Sequence, residues 1–205
     1  MLKPKKFKIA RRLGPAVYEQ AQTERFALSE ARKKKAAPKD KHRKNISAFN
    51  VALKEKQRVR FHYGISERQF ARYVKESMAK KGNPVALLFA RLEQRLDNVV
   101  YRIGLAPTHR AARQMVSHGH IAIAGKRMRV PSHQVSEGTV FSVREGSQTS
   151  KLFSKEGDEK TSTATMPNWI SLDEKKKEWK IVGIPSLELL QPGFNLNAVI
   201  EFYSR

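Results

Sequence analysis

The sequence predicts an α+β chain. A basic N-terminal arm (residues 1–48) leads into a small helical domain (49–90 plus 184–205). A unit of two helices packed on a small antiparallel sheet, with a sheet extension, occupies residues 91–183. Three observations predict this. Between residues 49 and 103 apolar side chains recur every three or four positions, the period of an amphipathic helix. Between Ile121 and Val130 the period drops to two on both sides of a Gly-containing turn, the pattern of a hairpin. Positive charge is concentrated at the front: residues 1–60 carry 19 basic and 5 acidic side chains, residues 61–205 carry 22 and 14.

The whole chain has 205 residues, room for one or two small domains. Its 41 Lys and Arg against 19 acidic residues give a net charge of +22, which calls for a polyanionic partner, nucleic acid before acidic lipid. There is no cysteine, so disulfides, thiolate chemistry and Cys-based zinc sites are excluded. No apolar run approaches the roughly 20 residues of a membrane span, and no membrane partner or signal peptide is expected.

The elements follow in order. Residues 1–14 hold six basic side chains, no acidic ones and few apolar ones, and cannot fold alone. Residues 19–35 have helical composition with a thin apolar face (Ala21, Phe26, Leu28). The run from Ala31 to Asn45 is basic and broken by Pro38. The arm is therefore read as irregular chain that orders on a partner and is dispensable for folding. In the next segment Val51 and Val59, with Leu53 weakly, mark an apolar stripe. Ser66 begins a stronger helix with Phe70, Tyr73, Val74 and Met78 inward and Arg68, Arg72 and Lys75 outward. Gly82 ends it and Pro84 starts another.

A single long helix is expected from Val85 to Ile103, with Leu88, Leu92, Leu96 and Val99 on its buried stripe. Arg91, Arg95, Asn98 and Arg102 form a second row, which leaves the arginines at the margin or in solvent. Thr108 is an N-cap for the helix that follows, and Gly119 fits its left-handed C-terminal position. Ala112, Met115 and Val116 would face inward, with Arg110, Arg113 and Ser117 on another face. The hairpin projects Lys126 and Arg127, and Thr139–Glu145 gives a third strand with Phe141 and Val143 on one face. Residues 146–165 read as a polar loop or a poorly formed helix. Alternation at 169–173 and 179–182 extends the sheet.

Arg95-Leu96-Asp97-Asn98-Val99-Val100-Tyr101-Arg102 and Ala112-Arg113-Gln114-Met115-Val116-Ser117-His118-Gly119-His120-Ile121 resemble the S4-type RNA-binding module. Leu53-Lys54-Glu55-Lys56-Gln57-Arg58-Val59-Arg60, Tyr63-Gly64 and Glu67-Arg68-Gln69-Phe70 are similar to the segment before that module in the small-subunit ribosomal protein S4 family. Pro167, Trp169 and Ile170, and the closing Asn197–Arg205, are similar too. The resemblance implies direct binding to small-subunit rRNA at a helical junction, early in assembly. It also implies a place by the mRNA entrance, contact with ribosomal protein S5, and influence on decoding accuracy. The location implied is the ribosome, bacterial and cytoplasmic or organellar.

The RNA-binding residues expected are Lys54, Lys56, Arg58, Arg60, Tyr63, Arg68, Arg72, Arg91, Arg95, Arg102, Arg110, Arg113, Ser117, His118, His120, Lys126 and Arg127. The chain departs from the family pattern in three places. It lacks the N-terminal cysteine cluster that many members carry, so it resembles the metal-free form. Pro38-Lys39-Asp40-Lys41-His42-Arg43 replaces Pro-Gly-Gln-His-Gly. The hairpin turn has Ala124-Gly125 where Asn-Gly is usual.

No catalytic role and no cofactor are expected. Glu93 and Asp97, four apart among arginines, read as ion-pair partners rather than an acid–base pair. Arg95-Leu96-Asp97 resembles the catalytic tripeptide of one class of pseudouridine synthases, but it lies within the module's first helix. His109, His118, His120 and His133, without cysteine, read as phosphate-binding or backbone-capping groups rather than metal ligands. The rival functions are an RNA-modifying enzyme, which needs a catalytic domain, and a free RNA chaperone or translational regulator. Stoichiometric co-sedimentation with small subunits discriminates the latter.

Overall fold

The computed structural model describes residues 5–36, 47–150, 153, 166–173, 177–187 and 193–204. In chain order the elements are α1 (Lys6–Leu13), α2 (Glu24–Ala36), α3 (Ala48–His62), α4 (Glu67–Ala79), α5 (Pro84–Glu93), α6 (Leu96–Arg102), α7 (His109–His118), β1 (Ile121–Ile123), β2 (Lys126–Met128), β3 (Val140–Val143), α8 (Glu145–Gln148), β4 (Ile170–Asp173), β5 (Glu178–Ile181) and α9 (Leu196–Ser204). They make an α+β protein of two compact units, Met1–Val85 with Pro192–Arg205, and Ala86–Gln191.

In the first unit the expectation of irregular chain over the arm is corrected for residues 5–36. Helix α1, two short 3-10 turns at Pro15–Val17 and Glu19–Ala21, and α2 enclose a small core of Ala10, Leu13, Val17, Tyr18, Ala21 and Phe26. Phe61 of α3 packs on this cluster, with its ring 6.5 Å from that of Tyr18. His62 Nδ1 lies 3.0 Å from the Ala16 carbonyl oxygen. The apolar residues of the arm are too sparse to fold alone, but a partner distant in sequence completes their core. Residues 5–36 therefore belong to the folded unit rather than hanging from it. The basic run at residues 37–46, including Pro38–Arg43, lies outside the described residues.

Helix α3 is capped by Ser47, whose Oγ accepts from the Asn50 N–H at 3.3 Å. It buries Ala52, Lys56 and Val59, whereas Val51 is 47% exposed, so the inward face is turned from the one expected. Helix α4 follows its pattern. Ser66 caps it through the Gln69 N–H, Phe70, Tyr73 and Val74 are buried, and Arg68, Arg72 and Lys75 face solvent. Helix α9 packs on α3 and α4. Its Tyr203 hydroxyl donates to Glu67 Oε1 at 2.8 Å, and Lys56 Nζ sits 4.6 Å from the centre of the Phe202 ring.

In the second unit the long helix expected from Val85 to Ile103 is two helices. Between α5 and α6 the backbone at Arg95 is extended, with φ −68° and ψ 135°. The broken ladder is made good by the segment 131–135: Leu96 N–H donates to the His133 carbonyl at 2.9 Å, and Val135 N–H to that of Gln94 at 2.9 Å. Leu92, Leu96 and Val99 stay buried on both sides of the break, which is why periodicity did not reveal it. The caps of α7 are as read: Thr108 Oγ1 accepts from Ala111 N–H at 3.1 Å, and Gly119 is left-handed at φ 76°.

The sheet is antiparallel with strand order β2-β1-β3-β5-β4. Both tail strands join it: Phe141 pairs with Trp179, and Ile170 with Ile181. Leu96, Val99 and Val100 of α6 and Ala112, Met115 and Val116 of α7 pack on Ile121, Phe141, Ile170 and Ile181. Full burial of one such branched or aromatic side chain contributes about 1.5–3 kcal/mol, so this layer holds the unit together. The polar stretch 151–165 lies outside the described residues apart from Phe153.

The β1–β2 turn has positive φ at both central residues, 47° at Ala124 and 75° at Gly125. That is the requirement of a type I′ turn, and a Cβ-bearing alanine is strained there by about 1 kcal/mol. Asn tolerates the conformation better. Ala124→Asn should therefore raise stability by about 0.5–1 kcal/mol. The urea midpoint reads the change, and an unaltered midpoint would show that the turn carries no such strain. Residue 124 is exposed, so packing does not confuse the comparison.

Candidate RNA interface

The arginines of the second unit divide into two sets. The first is internal. Arg95 is 1% exposed and gives Asp97 two bonds, Nε to Oδ1 at 3.0 Å and Nη2 to Oδ2 at 2.8 Å. Arg113, reaching from α7, adds Nε and Nη2 bonds to the same Oδ2, at 3.0 and 2.8 Å. A second hub surrounds the fully buried Glu93, whose two oxygens accept from Arg102 at 2.8 and 2.7 Å. Asn98 Nδ2 donates to Glu93 Oε2 at 2.8 Å, and its Oδ1 lies 3.1 Å from His109 Nε2. Tyr101 stacks on the His109 ring. Glu93 and Asp97 are thus ion-pair partners, as read.

The placement of Arg95 at a margin or in solvent is corrected. The chain is extended there, and its side chain turns inward to a carboxylate. His109, read as a phosphate or backbone ligand, is likewise an internal member of the Glu93 hub. Arg102 and Arg113 are half-buried and committed to carboxylates, and Arg91 is half-buried too.

The second set faces out. Arg110, Ser117, His118, Lys126 and Arg127 are exposed, and His120 is half-buried. They come from α7, the loop after it and the hairpin. Arg127 Nη2 donates to the His118 carbonyl oxygen at 2.6 Å, which ties the hairpin to the end of α7. The His118 and His120 rings stack with centroids 6.1 Å apart. Partial burial, and then the charges of His118, Arg144 and Arg127, hold the His120 pKa below the ordinary histidine value. Arg129 and Arg144 were not among the residues expected here. Alternation along the hairpin puts Arg129 on the side of Arg127, a signal the sequence carries. Nothing local marks Arg144, which reaches the group from the end of β3.

In the first unit Lys54, Arg68 and Arg72 are exposed, with Arg72 3.7 Å from Glu76. Lys56 and Tyr63, expected on RNA, are corrected to internal positions. The Lys56 ammonium is drawn inward by Glu67 Oε1 at 2.7 Å, and Tyr63 lies under α3's end beside His62. Arg58 serves Glu55 and the Gly193 carbonyl, and Arg60 serves Glu67.

Burial opposes ionisation of Glu67, but bonds from Lys56 and Tyr203 and the charges of Lys56 and Arg60 outweigh it and depress its pKa. The same burial and the Glu67 partnership push the Tyr203 hydroxyl up. A depressed folded pKa contributes stability above the unfolded carboxylate's value of 4.5, and that stability is lost as pH falls through the folded value. Acid titration of unfolding should therefore show a loss below about pH 4.5 that Glu67→Gln diminishes. An identical pH profile for Glu67→Gln and wild type would remove Glu67 from the acid response.

Among the described residues no helix is long and apolar enough to cross a membrane. Two family models match the chain in tandem, the ribosomal protein S4/S9 N-terminal domain over residues 1–93 and the S4 domain over residues 94–141. The chain is 38% identical over 203 residues to small ribosomal subunit protein uS4 of Sulfurihydrogenibium sp., covering 96% of this chain and 95% of that one. It is 42% identical over 160 residues to uS4 of Persephonella marina, 78% of each chain. To uS4c of Euglena gracilis it is 41% identical over 165 residues, 80% of each. Tandem matches and coverage of nearly the whole length of one relative lead to one assignment: the chain belongs to the ribosomal protein S4 family.

Proposed function

We propose that the chain is a structural constituent of the small ribosomal subunit that binds small-subunit rRNA directly. The observation that carries the reading is the outward set on the second unit. Its arginines and Lys126 cluster with histidines while the carboxylates of α5 and α6 are taken up inside. Guanidinium and ammonium groups presented this way contact phosphates and fix orientation, and the irregular shape of folded RNA selects the site. Membership of the family supports the ribosome as the place of action.

The finer reading is that binding occurs at an rRNA helical junction and nucleates assembly. The protein then sits near the mRNA entrance beside ribosomal protein S5 and influences translational accuracy. Of the first unit's expected residues, Lys54, Arg68 and Arg72 remain available for RNA. Tagged protein should sediment with small subunits at one copy each. Hydroxyl-radical cleavage from cysteines introduced at positions 110 and 126 should strike small-subunit rRNA at discrete nucleotides. Recovery in the free fractions of a sucrose gradient, with no discrete cleavage, would point to the free-chaperone alternative.

A further inference from the structure

The outward set has a corner built around Arg144, which follows β3. Its backbone N–H donates to the His120 carbonyl at 2.8 Å, so it stands beside the loop that carries both histidines. Its Nε is buried without a hydrogen-bond partner. No carboxylate forms an ion pair with Arg127, Arg129 or Arg144 among the described residues. Desolvation lowers the Arg127 pKa, and so do its charged neighbours Arg129 and Arg144, both cations.

Like charges held together without a counter-charge are destabilising, and a buried guanidinium N–H without an acceptor costs more. Elsewhere in this unit Arg95 and Arg113 are met by Asp97, and Arg102 by Glu93. Exposed Arg110 also lacks one among the described residues, but at this corner Arg127, Arg129 and Arg144 stand together, which fits a site whose counter-charge is supplied by a ligand. Two glycines shape the corner. At Gly119 an added Cβ would run into the Arg127 guanidinium, and at Gly146 one would lie 3.2 Å from Arg144 Nη2. Each guanidinium lies close to backbone where a side chain would otherwise stand.

We propose that Arg144, with Arg127, Arg129 and the His118–His120 pair, forms a seat for a phosphate group. Arginine matches that geometry, because a guanidinium offers parallel N–H donors to two phosphate oxygens. The proposal rests on the RNA-binding reading and deepens it by assigning two residues and a ligand chemistry. The group is carried either by the RNA backbone or by a free anion.

The test uses the full chain and purified small-subunit rRNA. Arg144→Gln should weaken binding about tenfold and make the plot of log affinity against log salt shallower by about one. Lys180→Gln removes an exposed cation on β5 and should bind within about twofold of wild type, as expected for a charge outside the seat. Thermal unfolding of both variants checks that the fold is intact. Unchanged affinity and salt slope for Arg144→Gln would overturn the seat while leaving the RNA-binding reading in place. Failure of the wild type to bind rRNA would overturn both.

The His118 and His120 ring resonances separate the two sources of phosphate. If they shift with millimolar inorganic phosphate, and the shift is lost in Arg144→Gln, the seat takes a free anion. If they shift only when rRNA is added, the backbone carries the group. Rings unmoved by either probe would overturn the proposal.

Discussion

Asp97→Ala should destabilise the second unit by about 3–5 kcal/mol, the cost of breaking a buried ion pair from one side. Asp97 accepts two bonds from Arg95 and two from Arg113. Arg95 decides the magnitude. It is 1% exposed and cannot escape by losing its proton, because a guanidinium stays charged in proteins. Arg113 contributes less, since its side chain is 35% exposed and water screens it. Small domains are stable by about 5–15 kcal/mol, so the variant should be marginal at ambient temperature. Urea unfolding measures it. The double variant Arg95→Leu, Asp97→Leu should recover much of the loss, because removing both partners leaves no stranded charge. A single variant within about 1 kcal/mol of wild type would mean that water reaches Arg95.

The second large effect is on RNA. Arg110→Glu combined with Lys126→Glu should reduce rRNA affinity by on the order of 3 kcal/mol, more than a hundredfold, through lost contacts and new repulsion. Both residues are exposed, so stability should change by less than about 1 kcal/mol. Arg113 is unsuitable for this test because reversing it would also break the Asp97 hub. Lys177→Glu with Lys180→Glu carries the same change in net charge on exposed residues elsewhere in the unit and should weaken binding much less. Equal losses from both pairs would show that net charge, not a defined face, carries binding. If about six phosphates are neutralised, wild-type affinity should fall about a thousandfold between 50 and 200 mM salt, somewhat less on irregular RNA.

What could be read in advance was local. The start of α4 at Ser66, the Thr108 cap, the left-handed Gly119, the hairpin and the shared face of Phe141 and Val143 each depend on a few neighbouring residues, and each stands as read. The break at Arg95 was hidden because it depends on residues 131–135, which supply the missing backbone partners. Once the chain is extended there, the row of arginines along one helix no longer exists, and Arg95 goes inward while Arg110 stays out. The arm was misread for a related reason. Its core is completed by Phe61, and no count of its own apolar residues includes that ring. Lys56 shows the limit for charge, because a lysine in a basic run looks solvated until its carboxylate partner is known.

The reach of Tyr203 to Glu67 has a consequence for biosynthesis. Those residues are 136 positions apart, and the whole second unit is translated between them. A nascent chain emerges in one direction and domains fold as units, so the second unit has all its residues before α9 appears. The first unit is begun early and finished late, with Lys56 and Glu67 waiting for the Phe202 and Tyr203 rings. A polypeptide released before residue 196 would carry an intact second unit and a first unit still missing a helix. Such a product would leave the apolar faces of α3 and α4 uncovered and open to proteolysis, so truncation here costs yield through the first unit.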